Sequence, residues 1–116
     1  MTAPAFPAPE QIAELCRLFR ARQMQKPLWT HQAHLIVATD ILYEMGAARG
    51  AALIRELIPL NNTHMGIPNS DTRGYHETIT TLFINAIVPI IADPRCRDRD
   101  EGLRRIVCGG VRTGFP

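Results

Sequence analysis

The stretch from residue 29 to residue 46 reads WTHQAHLIVATDILYEMG, and its reading decides the fold. Thr30 is placed to cap free backbone amides, so a helix is expected from Thr30 to about Met45. Gly46 is a natural terminator, because glycine enters the left-handed region without a Cβ penalty. Helical spacing puts His31, His34, Leu35, Ala38, Ile41, Leu42 and Met45 on one face, expected to be buried. Both histidines thus continue an apolar stripe at the helix start, and the chain around them is expected to be all-α.

Working outward, residues 9 to 23 fit a first helix, with Ile12, Leu15, Cys16 and Phe19 at core-facing spacing and Pro9 suited to its first turn. The preceding residues 1–8 read as an extended, proline-rich arm. A third helix fits 47 to 58, with Pro59 limiting its extension. Residues 59–73, PLNNTHMGIPNSDTR, read as a long polar loop of the kind that often binds ligands. A fourth helix starts between Asp71 and Gly74, and from Thr81 to Ile91 it is apolar almost all round. That pattern suits a central or interface-buried helix, kinked or ended by Pro89. A charged fifth helix over 98–107 and a glycine-containing flexible tail, 109–116, complete the chain. The expected architecture is one domain over 1–116, an up-down bundle of four to five helices.

Composition narrows the function classes. Net charge is +2, and the twelve arginines and Lys26 are scattered or mixed with aspartate, so no nucleic-acid partner is expected. Cys16, Cys96 and Cys108 lack C-x-x-C spacing and suggest reduced thiols in a cytoplasmic protein. No apolar stretch approaches the roughly 20 residues that span a bilayer, so no membrane partner is expected.

Short connections favour antiparallel neighbours, which would bring the starts of the second and fourth helices to one end of the bundle. His31, His34 and His76 occupy those first turns, and His64 lies in the loop expected above them. Imidazoles three residues apart can address one metal ion, and a third from a neighbouring helix leaves positions open for water or substrate. Helix N-termini disfavour protonated imidazole, which favours the neutral form that binds metals. The same dipoles oppose a bare cation, and Glu77 is the first candidate carboxylate to relieve this, as ligand or proton shuttle, with Asp71 a second that could equally cap the fourth helix. Tyr75 could donate a proton, and His64, Asn69 and Trp29 could contact substrate. Trp29 is also placed to close the helix start by packing, and Asn61, Asn62 and Asn69 suit turns.

The segments WTHQAHLIVA and NSDTRGYHETIT together resemble a family of small uncharacterised bacterial helical proteins with W-T/D-H-x-x-H-L and G/K-Y-H-E-T-I-T segments. The similarity spans residues 29 to 81. It implies one site built from Trp29, His31, His34, Tyr75, His76, Glu77 and Thr78, and leaves the reaction open.

The leading expectation is a small metal-dependent enzyme acting on a small-molecule substrate, with His31, His34 and His76 holding a divalent zinc, iron, copper, nickel or manganese ion. One alternative is a metal-free site using the histidines and Glu77 for acid–base chemistry or anion binding. The other is a non-enzymatic binding or scaffold protein, such as a homo-oligomer, using the apolar helix 81–91.

Overall fold

The computed structural model describes residues 7–67 and 77–108, the side chains of 77–79 and 108 excepted. Five α-helices follow in order: α1 (Pro9–Arg20), α2 (His31–Met45), α3 (Ala47–Met65), α4 (Glu77–Ala92) and α5 (Arg99–Cys108). A single 3-10 turn, Lys26–Leu28, links α1 to α2. No strand occurs among the described residues, and no helix there is long and apolar enough to cross a membrane. The expected all-α bundle is the fold.

The central helix is α2, which packs against each of the other four. Its residues Leu35 to Leu42 are all buried, Thr39 and Asp40 included. Thr30 caps it as expected, accepting from the Ala33 amide at 3.1 Å, and Gly46 ends it at φ +85°. A helix buried all round must satisfy its polar side chains internally. Thr39 does so by donating to the Leu35 carbonyl at 2.7 Å. The Asp40 carboxylate is clamped by Arg20 of α1 at 3.2 Å and Arg99 of α5 at 2.8 Å. Arg20 also reaches Glu44, so two cations meet two anions. Burial pushes the neighbouring Cys16 thiol up to about 12, and the Asp40 charge adds to the effect. Cys16 is therefore a core residue and not a nucleophile.

That centrality corrects the expectation for the fourth helix. Ile87 is fully buried and Phe83 and Ile84 nearly so, yet Leu82 of α4 is 46% exposed and Pro89 faces solvent. Four helices can surround only one axis, and α2 occupies it. Pro89 does not end α4, which runs on to Ala92.

Two helix ends also differ. Helix α1 stops at Arg20, not at 23, because Arg22 adopts a left-handed φ of +61°. The Gln23 amide then donates to the Leu18 carbonyl and Arg22 to that of Phe19, closing a Schellman cap without glycine. Helix α3 passes through Pro59 to Met65, so the expected loop at 59–73 is helical over its first seven residues. An interior proline costs roughly 3 kcal/mol, and buried anchoring offsets that cost. Asn61, fully buried, accepts from the Met24 amide at 3.1 Å and donates to the Phe19 and Leu57 carbonyls, each at 2.9 Å. Gly66 at φ +75° then closes α3. Asn61 and Asn62 are thus buried helix residues, not the turn or ligand-facing residues their composition suggested.

Helices α2 and α3 lie so close at Gly50 that an added Cβ would stand 3.0 Å from the Leu42 Cα. Gly50→Ala should therefore destabilise the protein by about 1–2 kcal/mol by overpacking, although alanine is intrinsically the better helix former. Asp40→Asn should cost about 2–3 kcal/mol, because it leaves two arginines facing an uncharged buried group. Urea midpoints at constant m-value check both, and an unchanged midpoint for Gly50→Ala would mean that α3 can move away from α2.

Candidate functional site

The site is built on the entry to α2. Trp29 sits at the centre of an inverse γ-turn, with φ −85° and ψ 67° and the Thr30 amide donating to the Leu28 carbonyl at 2.9 Å. This turn directs the indole back along the chain, where it stacks on Phe19 of α1 at 5.4 Å and on His34 at 3.7 Å between ring centroids. On another side His34 faces Phe83 of α4 at 6.2 Å, nearly parallel at 14°. Trp29 is thus half-buried packing that fixes an imidazole, the more ordinary of the two roles open to it.

The His34 Nδ1 lies 2.7 Å from the Thr30 carbonyl. A carbonyl only accepts, so this nitrogen carries the proton and the lone pair of the neutral ring resides on Nε2. Burial pushes the His34 pKa down to about 4; the Thr30 carbonyl opposes the shift and a charge on His31 would add to it. The imidazole is accordingly neutral across the physiological range, as the helix-dipole argument expects. His31, three residues before His34, is exposed and touches the edge of the site, its ring 5.7 Å from Phe83. Three residues advance a helix by 300°, so His31 lies about 60° round from His34. The expected stripe with both histidines buried holds for His34 in part and not for His31.

The starts of α2 and α4 do meet. Phe83 touches both histidines, and the buried Thr80 lines the same crevice as His34, Trp29 and Ile58. This narrow space of about 10 Å³ is lined almost wholly by carbon and holds roughly one water. Glu77 is the first residue of α4, one helical turn before Thr80. Tyr75, His76, Asn69 and Asp71 lie outside the described residues, as does the Glu77 side chain. His64 is displaced from its expected loop: it is exposed in the last turn of α3, because that helix continues past Pro59.

Among the described residues no three histidine, cysteine, aspartate or glutamate side chains come together as a group that could hold a metal ion. His31, His34 and His64 therefore do not form a triad by themselves. Sequence reasoning missed Phe83, Thr80 and Phe19 as walls of the site. Phe83 sits in a continuous apolar run, where periodicity gives no hint of which face meets the histidines. No family model matches the chain, and no curated protein and no solved structure matches it.

The depressed basicity of His34 has a definite pH consequence. Above pH 6.5 the ring is neutral folded and unfolded, and stability is indifferent to it. Between pH 6.5 and about 4 the unfolded chain binds a proton that the folded chain refuses, so stability falls as pH falls. The loss attributable to His34 should be on the order of 2–3 kcal/mol by about pH 4. Urea unfolding of the native protein and His34→Gln across this range measures it as the difference in slope. Equal slopes, or a ring that titrates near pH 6.5 by NMR, would contradict the buried, Nδ1-protonated imidazole.

Proposed function

We propose that the protein is a small metal-dependent enzyme acting on a small-molecule substrate, with its site at the shared end of α2 and α4. The single observation that carries this reading is the Nδ1–H···O=C bond from His34 to Thr30 at 2.7 Å. Metal-ligating histidines characteristically donate their second ring nitrogen to a carbonyl or carboxylate, which fixes the tautomer and aims the other nitrogen's lone pair. Trp29 and Phe83 restrain the same ring from rotating.

The donor set fits a metal in part. His34 and His31 supply two imidazoles, and a third ligand has to come from His76, with Glu77 as the nearby carboxylate. A divalent zinc, iron, copper, nickel or manganese ion held there would contribute Lewis acidity toward a substrate carbonyl or a water. The residues' own work is to orient and to move protons: Glu77 as proton shuttle or ligand, Tyr75 as a donor, and the apolar wall of Trp29 and Phe83 to exclude water.

Metal-free acid–base chemistry is the weaker reading, for a quantitative reason. A general base works best with a pKa near the operating pH, and His34 lies near 4. A neutral imidazole also gives an anion no charge to bind. The non-enzymatic reading draws on one observation, the 46% exposure of Leu82 on α4. Asn85 and Pro89 interrupt that outward face.

Protein purified without a histidine tag should carry close to one equivalent of a divalent metal. After chelation, re-addition at about a hundred times its dissociation constant should stabilise the fold by about 2.7 kcal/mol. His34→Ala and His76→Ala should each abolish that gain. Substoichiometric metal together with an unchanged melting temperature on metal addition would sink the proposal.

A further inference from the structure

The α1–α2 connector also borders a second feature, a surface groove of about 410 Å³. It shares no lining residue with the crevice at His34. Its floor is apolar, from Leu15 of α1 and the Pro27–Leu28 turn, with Leu28 as much as 40% exposed. The rim is acidic. Glu10 and Glu14, one turn apart on α1, both line it, and no lysine, arginine or histidine does. Arg17, which does not line the groove, pairs with both oxygens of Glu14 and holds its carboxyl below the usual range, so a partner's cation would share Glu14 with Arg17 while meeting Glu10 directly. The other polar groups at the edge have internal duties: the Gln11 side chain accepts from the Ala8 amide, and Thr30 caps α2. The partial positive charge of the α1 N-terminus works against a cation here, and Glu10 in the first turn more than offsets it.

We propose that this groove is a docking site for a short cationic, apolar segment of a partner protein. An aliphatic side chain would rest on Leu15 and Leu28, and a flanking arginine or lysine would pair with Glu10 and Glu14. Charge complementarity selects this occupant, because the Glu10 and Glu14 carboxylates at the rim attract a cation and disfavour nucleic acid or anionic lipid there. The volume falls within the range of about 300–1,000 Å³ typical of ligand-holding clefts, and an open groove suits a chain segment better than an enclosed small molecule.

Fluorescence anisotropy of the full chain with a fluorescein-labelled hexapeptide alternating arginine and leucine tests the proposal. A hexapeptide alternating glutamate and leucine is the control. The arginine peptide should bind at low salt and weaken as ionic strength rises. Glu10→Gln and Glu14→Gln should each weaken it by up to about fivefold, as expected for exposed ion pairs. Leu28→Ser should weaken it further, and His34→Ala should leave it unchanged, which separates this surface from the histidine site. All three groove positions are exposed, so circular dichroism should show the fold retained. Equal binding of the glutamate peptide, or unchanged affinity in the groove variants, would overturn the proposal. So would binding that emerges only after residues 2–6 are deleted, since the chain's own N-terminus would then be the occupant.

Discussion

A buried carboxylate paired with two arginines, that of Asp40, constrains everything packed around it. Asp40 is near the middle of α2, the helix that packs against each of the other four, and its side chain is 7% exposed. Desolvating a carboxylate costs several kcal/mol, and attraction to a partner returns that only when the geometry is good. Here the two arginines stay at the boundary, 32% and 40% exposed, so their own desolvation is limited. Arg20 fixes the end of α1 against α2, and Arg99 fixes the start of α5. The charges are more informative about register than about net stability, because a well-packed hydrocarbon at position 40 could be as stable. It could not, however, dictate which turn of α5 faces α2. Helix α5 needs that instruction, since Leu103 and Ile106 are its fully buried side chains.

The same constraint explains what could be read in the chain beforehand and what could not. Helix type, order and the caps at Thr30 and Gly46 followed from local patterns, because capping and 3.6-residue periodicity are local physics. The choice of central helix did not follow. Residues 81–91 are more continuously apolar than α2, which carries Thr39, Asp40 and two histidines. Hydrophobicity alone points to α4. What decides the matter is that polar groups can be buried when partners arrive from elsewhere, and Arg20 and Arg99 lie 20 and 59 residues away from Asp40. Asn61 teaches the same lesson for α3. Its partners at Phe19 and Met24 are 42 and 37 residues distant, and they hold a helix through a proline that local rules would place at its end.

At the histidines, legibility divides along a similar line. The meeting of the α2 and α4 starts was inferable from helix order, and Phe83 against both rings bears it out. The unequal environments of His31 and His34 were not inferable, because H-x-x-H spacing leaves each ring's depth open. A 60° difference in direction is enough to leave one ring exposed at the edge of Phe83 and the other between Trp29 and Phe83. Burial then separates their chemistry. His34 loses its capacity to carry charge near neutral pH, and the Thr30 carbonyl selects its tautomer.

Those two effects restrict which chemistry the end of the bundle can host. A base with a pKa near 4 abstracts protons poorly, and a neutral ring attracts no anion, so isolated acid–base or anion-binding roles draw little from His34. Ligation of a metal is different, since it requires the neutral ring, and the bond to Thr30 fixes the tautomer and orientation of that ring. The positive ends of two helices still disfavour a cation there. An arrangement that works must therefore bring in negative charge, and Glu77 opens the helix whose next turn already touches the site. In the proposed metal site the half-buried His34 is one ligand, and Glu77 is the carboxylate assigned to supply that charge.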